Sequence, residues 1–117
     1  MTVSQSSPFL APVTVAVLPT DETVVLRAVR EQLKGAKRIT VQVVNLDLSQ
    51  SVAGVVYRRK TGMSAFAPST LADFVSVGPE ASVMADLDVE GTDELELRFV
   101  ASGLGCDVEV GANRKAA

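Results

Sequence analysis

The sequence predicts an all-β fold, a single antiparallel β-sandwich of immunoglobulin-like or jelly-roll type with an extended N-terminal arm. About seven short segments alternate apolar and polar residues with the period of two that marks half-buried strands. Turn-forming residues separate these segments about every 8 to 12 positions, as in sandwich folds. Of the 117 residues, 47% are hydrophobic but only 4% are aromatic, so the core is expected to consist mainly of Val, Leu and Ala.

We expect an arm over residues 1–20, one sandwich domain over 21–111 and a flexible polar tail over 112–117. The arm, MTVSQSSPFLAPVTVAVLPT, contains three prolines and no charged side chain. Proline spacing of this kind favours an extended chain over a helix.

The apolar side chains of the arm, among them Phe9, Leu10 and Val13, are unfavourable in water and suit a strand laid along a foreign sheet edge or groove. We therefore predict that at least Ser6 to Leu10 docks on a neighbouring subunit. The alternatives are that the arm is disordered or forms an edge strand of its own domain.

The segment ETVVLRAVREQL is amphipathic in two senses. Three residues have helical spacing: Val25, Val29 and Leu33. Three others alternate as in a strand: Val24, Leu26 and Ala28. We favour the strand, followed by a turn through Lys34 and Gly35.

The clearest half-buried strand is RITVQVVNLD, in which Ile39, Val41 and Val43 share one face. The next strand, VAGVVYRRK, is expected either to form a hairpin with it or to lie across the sandwich from it. In the irregular segment that follows, Phe66 and Phe74 are predicted to fill the core beneath a long connection.

Two further strands, ASVMADLDV and ELELRFVAS, are joined by EGTD, which predicts an acidic hairpin. Their inward residues are predicted to be Val83, Ala85, Leu87, Val89, Leu95, Leu97 and Phe99. Glu96 points outward in this register, so its replacement by alanine is expected to be nearly silent. A last strand, CDVEV, places Cys106, Val108 and Val110 on one face.

The stretch DLDVEGTDELEL begins like a calcium-binding loop, with oxygen side chains at Asp86, Asp88 and Glu90 and a glycine at Gly91. The twelfth position of such a loop supplies a bidentate glutamate, but here that position is Leu97. We therefore favour a solvated acidic hairpin over a calcium site.

Composition disfavours most catalytic and nucleic-acid functions. The chain contains no histidine, which removes the usual general base near neutral pH and the commonest zinc ligand. A net charge of −3 argues against general nucleic-acid binding. The longest apolar stretch of the amino terminus, PFLAPVTVAVLP, is too short to cross a bilayer. We expect no catalytic, cofactor-binding or metal-binding residues, no nucleic-acid partner and no membrane partner.

Charge is segregated along the sequence. The segment from Arg27 to Lys60 is mainly basic, and the segment from Glu80 to Glu109 is mainly acidic. Two explanations remain open: neighbouring strands pair their charges within one molecule, or a basic surface of one copy meets an acidic surface of the next.

The block ITVQVVNLDLSQSVAGVVYRRKTG, with the segment from PSTLADF to RFVASG that follows it, resembles the small β-sandwich virion proteins of tailed bacteriophages and prophages. This resemblance implies a non-enzymatic virion protein made in the bacterial host cytoplasm. Capsid decoration in many copies is the first expectation, and a neck, tail or baseplate component is the second. A ligand-binding or carbohydrate-binding sandwich is a third, which the lack of Trp disfavours.

The expected partners are other virion proteins, capsid or tail subunits, and further copies of this chain. The candidate partner-binding residues are Phe9, Leu10 and Val13 in the arm, and the basic triplet Arg58, Arg59 and Lys60.

Overall fold

The computed structural model describes residues 6–33, 36–69, 74–89 and 91–115, with side chains between Pro12 and Arg114. The expected turn through Lys34 and Gly35 lies outside these residues. Eight strands and one helical turn make up the described chain: β1 Ser6–Val17, β2 Thr23–Val29, α1 Arg30–Leu33, β3 Arg38–Asn45, β4 Val52–Arg59, β5 Ala67–Ser69, β6 Ser82–Asp88, β7 Glu94–Ala101 and β8 Cys106–Lys115.

The strands form two antiparallel sheets of four strands each. One sheet has the order β1-β8-β3-β6 and the other has the order β2-β7-β4-β5. The first strand pairs with the last, and, apart from β4 and β5, consecutive strands lie in opposite sheets. Eight strands that are divided between two sheets and connected in this way form a jelly roll. The predicted all-β sandwich is confirmed, and the topology selects the jelly-roll alternative over the immunoglobulin-like one.

The core lies between the sheets and consists of the inward faces that the alternation predicts. Each of the following side chains is completely buried: Ile39, Val41, Val43, Leu87, Leu95, Leu97, Phe99, Val108 and Val110. Burial of one such side chain contributes about 1.5–3 kcal/mol to folding. These residues come from β3, β6, β7 and β8, so the same core holds both sheets together.

The two phenylalanines predicted to fill the core have different environments. Phe74 is fully buried and meets the ring of Phe99 edge to face, with the ring centroids 5.7 Å apart. Phe66 is only half-buried, and the guanidinium of Arg59 lies 4.3 Å from the centre of its ring. The prediction is therefore confirmed for Phe74 and wrong for Phe66. The ring of Phe66 is covered by the Arg59 guanidinium and does not pack in the core.

The strand alternative for residues 23–29 is confirmed, and the helical spacing survives only as the single turn α1. The strands β3 and β4 lie in different sheets, so they are neighbours across the sandwich rather than a hairpin. The acidic hairpin is wrong: β6 pairs with β3, whereas β7 pairs with β2 and β4. The connection between β6 and β7 therefore crosses from one sheet to the other.

The first and last strands extend beyond the expected boundaries of the sandwich domain. The segment expected as an arm contains β1, which pairs with β8 of the same chain from Ser6 opposite Lys115 to Val17 opposite Cys106. The segment expected as a tail continues β8 to Lys115. Each segment supplies the backbone partners of the other, and this long-range pairing replaces the free arm and the free tail. The register shifts between Pro8 and Leu10 and again between Leu10 and Val13.

Close packing of β4 against the core predicts a specific intolerance. A Cβ atom added at Gly54 would lie 2.6 Å from the ring of Phe99, which has no space to move in the core. We expect Gly54→Ala to lower the free energy of unfolding by about 1–3 kcal/mol, measured by urea denaturation. Gly78→Ala is the matched control, because nothing lies within 4 Å of its added Cβ. Equal stability of the two variants would contradict the packing described for β4.

Candidate functional site

The arm residues of the candidate partner-binding set belong to β1, at the edge of its sheet. The side chains of Phe9 and Leu10 lie outside the described residues. Val13 pairs with buried Val110 and points toward the space between the sheets, but it remains 42% exposed at the open side of the sandwich. Val13 therefore presents apolar surface next to the unpaired edge of β1.

The basic triplet lies at the end of β4 and just beyond it, and its members differ in their surroundings. Arg59 bonds to Glu94 at 2.9 Å and stacks on Phe66, so its charge is neutralised within the molecule. Arg58 is half-buried and Lys60 is exposed. Strand β4 belongs to the sheet opposite β1, so the structure does not bring the triplet and Val13 together into one surface.

The outer face of the β2-β7-β4-β5 sheet carries a network of ion pairs centred on Glu96. This carboxylate pairs with Arg27 on β2 and with Arg98 on its own strand, and its side chain is only 5% exposed. Burial opposes its ionisation, but the hydrogen bonds from Arg98 and Arg27 outweigh burial and lower the pKa of Glu96. The expectation that Glu96 is a silent outward residue is thus contradicted by its burial under two guanidinium groups.

The same network covers the aromatic ring of Tyr57. The guanidinium of Arg98 lies 4.1 Å from the ring centre, and the hydroxyl donates to the carboxylate of Glu22 at 2.7 Å. That hydrogen bond to Glu22, reinforced by burial, raises the pKa of Tyr57. Pairing of Arg27 with Glu96, and of Arg59 with Glu94, supports the intramolecular explanation of charge segregation for this face of the sandwich.

Asp93 is the buried anchor of the connection between β6 and β7. Its Oδ2 accepts a hydrogen bond from the backbone N–H of Thr61 at 2.9 Å, and its Oδ1 accepts one from Nε of Arg30 at 3.0 Å. The Thr61 hydrogen bond, together with Arg30, lowers the pKa of Asp93 to about 2. One carboxylate thereby ties α1, the end of β4 and the start of β7 to each other.

The acidic stretch does not gather its carboxylates at one point. Asp86 accepts a hydrogen bond from the hydroxyl of Thr40 on the outer face of β6, Asp93 is buried beside Arg30, and Glu94 pairs with Arg59. Glu90 lies outside the described residues. Among the residues that are described, no three metal-ligating side chains form a group that could hold an ion.

Sequence reasoning missed an exposed apolar surface at one end of the sandwich. Four leucines lie on the three connections that meet there, β1 to β2, β3 to β4 and β7 to β8: Leu18, Leu46, Leu48 and Leu104. Leu104 is 79% exposed and Leu48 is 77% exposed. We call these four residues the leucine tip. The one available signal was a leucine flanked by turn-forming residues, as in SGLGC and DLSQ, where no core position is expected.

The connections that carry the leucine tip are in contact. The Leu46 backbone N–H donates to the carbonyl of Asp107, and the Ala101 N–H donates to the carbonyl of Leu18. Gly103 lies beside the side chain of Gln50. The four leucines therefore belong to one end of the molecule, rather than being isolated exposed residues of the kind every protein has.

A second exposed surface lies on the outer face of the β1-β8-β3-β6 sheet. A shallow groove there is lined by uncharged residues that include Pro12, Thr40, Gln42, Met84 and Asn113. Met84 is largely exposed. The groove runs beside the edge strand β1, so it and Val13 border the same edge of the sheet.

Comparison with known proteins identifies a fold. No protein-family model matches the sequence, and no curated protein matches it. The chain is similar to VP2 of the infectious bursal disease virus subviral particle, at 8% identity and a TM-score of 0.54, over 92% of this chain and 30% of that chain. It therefore spans less than a third of the length of the viral chain that it matches.

Two bacterial or prophage proteins are also similar. The mitogen derived from Yersinia pseudotuberculosis matches at 9% identity and a TM-score of 0.54, over 95% of this chain and 88% of that chain. The SPBc2 prophage-derived protein YomS matches at 12% identity and a TM-score of 0.49, over 96% of this chain and 98% of that chain. At these identities the likeness to VP2 and to the mitogen shows the fold alone. The TM-score of YomS is too low to support an inference about this chain.

No helix in the described parts of the chain has the length and apolar character needed to cross a membrane.

The Asp93 anchor predicts an acid-sensitive stability. Because its pKa is about 2 in the folded protein, below the ordinary value of 3.8, its contribution is present above pH 4 and is lost as the pH falls through 2. We expect Asp93→Asn to lower the melting temperature at pH 7, and we expect the difference from wild type to shrink between pH 4 and pH 2. Asp107→Asn, at an exposed position of β8, serves as control. A difference that stays constant with pH would contradict the anchor.

The Glu96 network predicts a loss of stability where alternation alone predicts none. Glu96→Ala leaves the half-buried guanidinium of Arg98 without its main partner. We expect the free energy of unfolding to fall by about 1–3 kcal/mol in urea denaturation. Glu109→Ala, at an exposed position of β8, is expected to change it by about 0.5 kcal/mol or less. If the two variants are equally stable, the network contributes nothing to folding.

Proposed function

We propose that the protein is a non-enzymatic structural component of a phage virion, and that it binds the capsid shell in many copies as a decoration or stabilising protein. It is made in the cytoplasm of the bacterial host and functions in the virion. The next candidate position within the virion is the neck, tail or baseplate. Other virion proteins and further copies of this chain are the proposed partners.

One observation carries this proposal: three carboxylates in the second half of the acidic stretch DLDVEGTDELEL hold a jelly roll together rather than forming a reactive site. Asp93 binds Arg30 and the Thr61 backbone, Glu94 binds Arg59, and Glu96 lies beneath two guanidinium groups. Carboxylates neutralised by fixed cations are poor general acids or bases at neutral pH. The lack of histidine further supports a structural role. The presence of the same fold in VP2 of a subviral particle is an analogy in favour of assembly.

A carbohydrate-binding function has less support. Stacking on a sugar ring requires an exposed aromatic face. Arg98 covers the ring of Tyr57, and Arg59 covers the ring of Phe66. The described aromatic residues nearest the surface are therefore already stacked on cations.

We place the contact with the shell along β1. Among the described strands, β1 is paired only with β8, it lies within an uncharged segment, and Val13 presents apolar surface beside it. Pro8 and Pro12 remove two backbone donors from the edge, which limits simple strand addition and favours docking through side chains. We therefore propose that the edge of the folded sheet, rather than a free arm over Ser6 to Leu10, docks on a neighbouring subunit. Arg58 and Lys60 form a separate basic contact.

Binding to particles tests the function and the placement together. Particles from an induced host culture that lacks this gene are mixed with purified wild-type protein and sedimented. We expect saturable co-sedimentation at many copies per particle. Val13→Glu should weaken binding about tenfold or more, because it introduces a charge at the proposed contact. Val24→Glu is the matched control, since Val24 is a comparably exposed valine on the edge strand of the other sheet.

The outcomes separate the two parts of the proposal. If wild-type protein does not co-sediment with any particle fraction, the virion role is wrong. If wild-type protein binds but Val13→Glu binds equally well, the virion role stands and the β1 placement is wrong. Circular dichroism of both variants establishes that they are folded before binding is compared.

A further inference from the structure

The leucine tip lacks positive charge. The connections at this end, residues 18–22, 46–51, 75–81 and 102–105, contain no lysine or arginine. They contain four acidic residues, Asp21, Glu22, Asp47 and Glu80. One of these, Glu22, is already bound to Tyr57 and Arg98. Hydrogen bonds from the backbone N–H groups of Ser49 and Gln50 lower the pKa of Asp47, so it is ionised at neutral pH. Exposed leucines and carboxylates therefore share one end of the molecule.

The opposite end of the sandwich has the complementary composition. Here α1, the residue before β3, the end of β4 and the connection from β6 to β7 surround a groove. The buried side chains of Leu33 and Val89 form its floor, half-buried Ala36 adds apolar surface, and two lysines border it, Lys37 and Lys60. We call this surface the lysine groove. Arg38 and Arg58 lie on the strands that end beside it.

The two lysines of the groove are available to a partner. Arg30, which also borders the groove, is paired with Asp93. Within the described part of the chain, the ion pairs do not include Lys37 or Lys60. Lys37 and Lys60 therefore supply positive charge at this end, beside Glu31 of α1, whereas Asp21 and Glu80 supply exposed negative charge at the leucine tip.

We propose that the leucine tip of one copy docks in the lysine groove of the next copy, so that the protein associates head to tail. Strands β3 and β4 each run from one of these surfaces to the other, so the surfaces lie at opposite ends of one molecule. A contact between two different surfaces of identical chains is heterologous, and it continues from copy to copy until the rotation closes a ring or produces a filament. Apolar surface at the centre of the contact and opposite charges at its rim match the usual anatomy of a protein interface.

This inference goes beyond the proposed virion role and does not depend on it, because it concerns the purified chain alone. The contact involves only the ends of a small domain, so it is expected to be weak and concentration-dependent in solution. Its electrostatic part weakens with salt, because both charged rims are exposed. Assembly on a particle would raise the local concentration of such a protein and favour the contact.

Sedimentation velocity over a range of concentrations tests the inference. Wild-type protein should form dimers and larger species that decrease with added sodium chloride. Leu104→Asp places a charge in the leucine tip, and Lys60→Glu reverses a charge of the lysine groove. Each variant alone should weaken association about tenfold or more. Both positions are exposed, so folding is expected to be unaffected. Leu48→Asp is the second tip variant, in case Leu104→Asp is unstable.

Mixing the two variants is the decisive experiment. The groove of Leu104→Asp is intact and the tip of Lys60→Glu is intact, so the mixture should form dimers and stop there. Met84→Asp, which changes an exposed apolar residue on the outer sheet face, is the matched control and should associate like wild type. A wild-type protein that remains monomeric at millimolar concentration, a mixture that remains monomeric, or a Met84→Asp variant as impaired as Leu104→Asp would each overturn the inference.

Discussion

Burial of the inward faces of β7 and β8 is the constraint on which the rest of the sandwich depends. These strands are consecutive in the chain, yet each lies inside a different sheet, β7 between β2 and β4 and β8 between β1 and β3. Residues 102–105 carry the chain across, with Gly103 at a φ of 72° that most other residues avoid. Four of the remaining strands pair directly with these two, β1 and β3 with β8 and β2 and β4 with β7, and β6 and β5 extend the sheets from β3 and β4.

The charges are organised around this core in two ways. On the outer face of one sheet, Arg98 of β7 and Arg27 of β2 neutralise Glu96, and the pair with Arg27 joins opposite charges from distant parts of the sequence within one molecule. At the two ends of the sandwich this cancellation is incomplete: exposed Asp21 and Glu80 accompany the leucine tip, and exposed Lys37 and Lys60 border the lysine groove. The first arrangement stabilises the fold, and the second gives the molecule a direction, which suits a component of an ordered assembly.

The sequence predicts which face of a sheet a residue occupies much better than it predicts which strands pair with each other. Alternation correctly assigns Val41, Leu97 and Val108 to the core, because a period of two determines which side of a sheet a residue occupies. It does not reveal which strands pair, so the connection from β6 to β7 resembles a hairpin although it crosses between sheets. Pairing of β1 with β8 joins the two ends of the chain, and local patterns carry no signal for such a contact. Burial of Glu96 likewise depends on arginines brought to it by pairing, and the leucine tip depends on loops that only the fold brings together.

We propose that this jelly roll is a repeated part of a particle, and cryo-electron microscopy of virions from the native host can test this role. We expect density for an eight-stranded jelly roll of this topology at many symmetry-related positions on the particle, with β1 against a neighbouring subunit. Virions from a host in which the gene is deleted should lack that density. Particles that are identical with and without the gene, while the protein itself remains in the cell extract, would contradict a structural role in the virion.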